Sequence, residues 1–64
     1  MKLRFKLDGK KVTREKVREI IGEERLDRMI KESRETMKED PLIENDYWLG
    51  AGVGMLTIEM DPWA

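Results

Sequence analysis

Sixty-four residues and 7.6 kDa are enough for one domain, 1–64, with a small core; a chain this short buries roughly 60% of the surface it exposes when unfolded. Thirteen Lys and Arg against fourteen Asp and Glu leave −1, and the absence of cysteine and histidine removes disulfides, thiolate chemistry and the commonest general base, metal ligand and near-neutral pH switch. No apolar run approaches the roughly 18 residues of a membrane span, and Met1-Lys2-Leu3-Arg4-Phe5 alternates instead of forming the apolar block of a signal peptide, so the expectation is a cytoplasmic protein.

Leu3, Phe5 and Leu7 alternate with Lys2, Arg4 and Lys6, the period-two pattern of a half-buried strand. Asp8-Gly9 then supplies a tight turn, and Lys10 to Val12 either return as a second strand or lead directly into a helix.

Thr13 is placed to cap that helix, with Val12 and Val17 at staple spacing around it. Ile20 and Ile21 fall within about 60° of Val17 on a helical wheel, whereas Leu26, Met29, Ile30, Ser33 and Met37 fall roughly 120° to 220° away. One straight helix would point these two stripes in opposite directions. A break at Gly22, a residue free to take positive φ, lets both face one core. The pattern therefore predicts a helix from Arg14 to Ile21, a turn at Gly22-Glu23, and a longer helix to about Glu39. Glu24–Arg28, Asp27–Lys31, Arg28–Glu32 and Lys31–Glu35 stand at i,i+4 on the second helix and predict a solvated, mixed-charge face.

Asp40-Pro41 ends that helix. Tyr47-Trp48-Leu49 predicts a short strand, Gly50 to Gly54 a hairpin loop, and Met55 to Met60 a strand with Leu56, Ile58 and Met60 on one face. The expected architecture is α+β: a three- to four-stranded, mainly antiparallel sheet covered on one face by a helical pair, in the order ββααββ or βααββ. The inner face is Leu3, Phe5, Leu7, Leu56, Ile58 and Met60. The helices add Val17, Ile20, Ile21, Leu26, Met29, Ile30 and Met37. The first and last strands are expected to pair, which sets Lys2, Arg4 and Lys6 near Glu59 on the outer face.

The net charge conceals an asymmetry. Positions 1–38 hold all thirteen bases against eight acids, leaving +5, and positions 39–64 hold six acids and no base, leaving −6. Mutual neutralisation of the two segments is the simplest reading. A basic strip of Lys2, Arg4, Lys6, Lys10 and Lys11 is the candidate contact for nucleic acid, which the slightly acidic total and the lack of an aromatic among the lysines disfavour.

Gly50-x-Gly52-x-Gly54 precedes a strand and not a helix, so it lacks the context of a dinucleotide-binding loop. Glu39, Asp40, Glu44, Asn45 and Asp46 lack the spacing and central glycine of a calcium loop. No metal or cofactor is expected, and no catalytic residues are assigned. The helix–Gly22–helix outline resembles a helix-turn-helix, but its second helix carries a mixed face that phosphates would partly repel.

Tyr47, Trp48, Leu49 and Trp63 are the most informative side chains, because Trp and Tyr bury large area at low entropy cost in contacts. With Glu44 and Asp46 they form the candidate protein-interaction segment. The expected function is a small non-catalytic interaction module. By analogy of size and charge, it is an inhibitor or adaptor of the phage and mobile-element type, anti-CRISPR proteins included. Its expected partner is another protein, one with a basic surface. Nucleic-acid binding through the basic strand and a weak homodimer through a Trp48-bearing edge are the rival readings.

Overall fold

The structure is a computed structural model that describes residues 2–60. The chain runs β1 (Leu3–Leu7), β2 (Lys10–Val12), α1 (Arg14–Ile21), α2 (Glu23–Glu39), β3 (Asn45–Trp48) and β4 (Met55–Met60). All four strands pair antiparallel in one sheet, in the order β2-β1-β4-β3. This is the α+β arrangement in its ββααββ form, with the first and last strands adjacent at the centre.

Asp8 and Gly9 take φ of 52° and 82°, the two positive values that a two-residue hairpin turn requires to match strand twist. The turn is also tied to the far end of the chain. The Asp8 N–H donates to the Met55 carbonyl at 2.9 Å, and Asp8 Oδ1 accepts the Met55 N–H at 2.9 Å. Gly54, at φ 110°, passes so close that a Cβ there would collide with the Asp8 carboxylate. The expected glycine hairpin loop is therefore ordered: Val53 and Gly54 both donate to the Gly50 carbonyl, and Leu49 donates to Gly54.

Thr13 Oγ1 accepts the Lys16 N–H at 3.1 Å and starts α1. The break between the helices is a single residue and not the expected pair. Gly22 donates to Arg18 O to close α1, and its own carbonyl accepts from Leu26 to open α2. Its φ of 88° and ψ of 155° lie in a region that glycine occupies almost alone. The swing turns both helices' apolar stripes onto the sheet.

The core is Phe5, Val17, Leu26, Met29, Ile30, Met37, Leu56 and Ile58, with Leu3, Leu7, Val12, Ile21, Tyr47, Leu49 and Met60 packed at its margin. Ile20, expected inside, is only half-buried and stands outside this cluster. Only Val17 of the short α1 is buried outright, and Ile20 falls on the flank of its narrow contact stripe. Ser33, the one polar residue in the α2 stripe, is fully buried. It accepts from Asn45 Nδ2 at 3.1 Å, which ties α2 to β3. Among the described residues none of the expected i,i+4 ion pairs of α2 closes; Asp27 instead faces Arg14 of α1 at 3.6 Å.

Candidate interaction surfaces

The helices cover one face of the sheet, and among the described residues no helix covers the other. Strand alternation decides what that open face carries. Register sets Arg4 opposite Glu59, Lys6 between Lys11 and Thr57, Asp46 opposite Thr57, and Trp48 opposite Met55. From β2 to β3 the face therefore changes from cationic, through one carboxylate, to acidic and aromatic.

Glu59 holds the cationic half together. Arg4 reaches it at 2.7 Å and Lys6 at 3.1 Å. Partial burial pushes its carboxyl pKa up, but hydrogen bonds and charge from Lys6 and Arg4 outweigh this and hold it below the ordinary value. Two cations share this one acid, and Lys11, directly opposite Lys6, pairs with neither it nor any other described carboxylate. The mutual neutralisation expected between the two segments is thus local: it works at Glu59 and leaves Lys11 over.

The acidic, aromatic half divides by strand parity. Trp48 is 63% exposed and Met55 37% exposed, side by side on the open face. Asp46 shares that face, where its Oδ1 accepts the Thr57 hydroxyl at 2.7 Å. Glu44 is exposed in the loop before β3, where Leu42 is also almost fully exposed. Tyr47 points the other way: its hydroxyl lies 3.5 Å from both Ser33 Oγ and the Met29 carbonyl. Leu49 packs at the core margin. Trp63 lies outside the described residues. The structure thus gathers Asp46 and Trp48 with Met55, and assigns Tyr47 and Leu49 to packing.

The basic strip stays largely together, with Lys10 apart from the rest. Arg4 and Lys6 are drawn to Glu59, and Lys10 is exposed at the edge strand. Lys2, Arg4 and Lys11 meet Arg14 and Arg34 around an open cleft of about 440 Å³ beside β1. Arg14 and Arg34 were not among the candidates read from sequence, because their proximity to β1 follows only from the fold of α1 and α2 onto the sheet. Of the acidic run, Asp40 Oδ1 accepts the Leu42 N–H, Asn45 reaches Ser33 and Asp46 reaches Thr57. Among the described residues no group of three acidic side chains is placed to hold a metal ion, and no helix is long and apolar enough to cross a membrane.

No protein-family model matches the chain, and neither a curated protein nor a solved structure shows significant similarity to it.

Proposed function

We propose that this protein is a small non-catalytic interaction module that docks the acidic, aromatic half of its open sheet face on a basic surface of another protein. The observation that carries this reading is Trp48, 63% exposed against Met55 on a face that no helix of the described residues covers. The fold does not bury this ring, so its area is available to a partner, and aromatic anchors of this kind dominate contact energetics. An Arg from the partner laid on the indole adds about 0.5–2 kcal/mol through cation–π attraction. Asp46 and Glu44 favour a basic partner by charge complementarity, which speeds encounter more than it tightens binding. Occupying a surface in this way suits an inhibitor or adaptor, the class to which phage and mobile elements contribute many small chains.

A second copy of the chain is the second reading. β3 lies at the sheet edge with Trp48 on it, and a two-fold rotation would set Trp48 and Asp46 of one copy over Lys6 and Lys11 of the other. Affinity capture from cell lysate with the wild type, Trp48→Ala, Asp46→Lys and Lys10→Glu tests the first reading. The expected result is one partner with a basic surface, held by the wild type and Lys10→Glu and lost by the other two. Capture indifferent to Trp48 and Asp46 overturns it. Sedimentation of the same variants tests the second: a wild-type dimer that Trp48→Ala dissociates supports self-association, and a monomer at every concentration excludes it.

A further inference from the structure

The cleft beside β1 is the strongest feature that the open sheet face does not account for. We infer that it is a separate binding site, for an extended acidic peptide segment of a partner chain. Lys2, Arg4, Lys11, Arg14 and Arg34 line it, and among the described residues no carboxylate does. Arg4 shares its charge with Glu59, and Arg14 faces Asp27 at 3.6 Å. Lys2, Lys11 and Arg34 form no ion pair with any described residue. Leu3, Phe5, Val12 and Ile30 make an apolar floor.

Backbone geometry favours a peptide over other anions. Asp8 donates to Met55 across β1 and β4, and ladder bonds alternate along an antiparallel strand. Lys6 and Arg4 therefore also bond towards β4, while Leu7, Phe5 and Leu3 direct their N–H and C=O groups towards β2. Leu7 and Phe5 meet Lys10 and Val12 there. Leu3 meets no strand, because β2 ends at Val12 and the chain enters α1 at Arg14. Its N–H and C=O thus face the cleft, the pair of groups with which an added strand exchanges hydrogen bonds. Alternate side chains of that strand reach the apolar floor and the surrounding cations. A second cleft of about 490 Å³ shares Arg14, Ile30 and Arg34 and continues along α2, where Lys31 and Lys38 alternate with Asp27 and Glu35, so the acidic side chains of the peptide are read in the first cleft and the second gives only room for its continuation. Nucleic acid fits less well: Phe5, the only aromatic among the described residues of the cleft lining, is buried to 6% exposure and offers no ring for bases to stack on.

The probe is an acetylated, amidated Glu-Val-Glu-Val-Glu-Val peptide titrated into the 15N-labelled full chain. The Leu3 amide should shift and exchange more slowly with solvent, with other shifts confined to Lys2–Phe5, Lys11–Arg14 and Ile30–Arg34. Lys11→Glu combined with Arg34→Glu should weaken binding by about tenfold or more, since both charges face the ligand. Lys10→Glu and Lys16→Glu, exposed but outside the cleft, should leave it unchanged. Circular dichroism confirms that each variant is folded. Shifts scattered over every lysine, an unmoved Leu3 amide at millimolar peptide, or equal affinity in the double variant overturns the proposal. Stronger shifts of the same amides by an oligothymidylate also overturn it, in favour of single-stranded nucleic acid. This test reads Leu3, Lys11 and Arg34, whereas the open-face proposal reads Trp48 and Asp46, so either can fail alone.

Discussion

The two faces of the sheet are built from the same strands and have opposite fates. On the inner face Phe5, Leu56 and Ile58 are buried at 6%, 0% and 0% exposure beneath Val17 and the α2 stripe. On the outer face their immediate neighbours Arg4, Lys6, Met55, Thr57 and Glu59 meet no helix. The inner face supplies the apolar burial that drives folding. The outer face holds one compact ion cluster at Glu59, and beside it Trp48 and Met55, which the fold does not bury. The difference separates residues that specify the structure from residues available for contact.

That separation can be broken first at the centre of the sheet. Leu56→Ala or Ile58→Ala should cost about 2–5 kcal/mol, the range for truncating a fully buried aliphatic side chain. In a domain this small that is a large share of total stability. Urea unfolding followed by circular dichroism measures it, and a loss below 1 kcal/mol would mean that the inner face is not the core.

Gly54→Ala comes next, at about 1–3 kcal/mol, because the new methyl meets the Asp8 carboxylate and the residue must hold a positive φ. Gly22→Ala should cost about 1 kcal/mol or more, from backbone strain alone, since nothing lies within 4 Å of the added carbon. The contrast between these two glycines sharpens the account. Both break the local pattern, but only Gly54 does so against another segment of the chain.

The ion cluster should respond to pH. The Glu59 carboxyl has a lowered pKa in the folded state, so its contribution is fully present above the unfolded-state value. It is lost as pH falls through the folded one, which lies below the ordinary carboxylate value. Glu59→Gln should therefore cost about 0.5–1 kcal/mol at neutral pH and progressively less as acid protonates the folded-state carboxyl. Unfolding midpoints of the wild type and the variant, followed from neutral to acidic pH, should converge on acidification; a constant gap would assign the loss to packing.

The inner face was legible in the sequence because burial imposes a strict period. Leu3-Phe5-Leu7 and Leu56-Ile58-Met60 announce two strands, and the opposed wheel positions of Val17 and Leu26 require the break at Gly22. Local chemistry was legible too, at Thr13 and at Asp8-Gly9. Features that join distant segments were not. The Asp8–Met55 bond spans 47 positions, and nothing near Asp8 signals it. Arg14 and Arg34 read as ordinary helix-surface charges until the fold sets them beside Lys2 and Lys11. Tyr47 and Trp48 were indistinguishable as neighbouring aromatics, because one step of register exchanges the faces of a strand. Pairing with Leu56 turns Tyr47 inward, and pairing with Met55 turns Trp48 outward.

Trp48→Ala gives the smallest expected effect and tests the central claim most directly. If Trp48 belongs to a contact surface and not to the fold, the variant should unfold within about 0.5 kcal/mol of the wild type in urea, as for an exposed substitution. A loss of about 2 kcal/mol or more, the scale of a core truncation, would contradict the account and make Trp48 part of the structure.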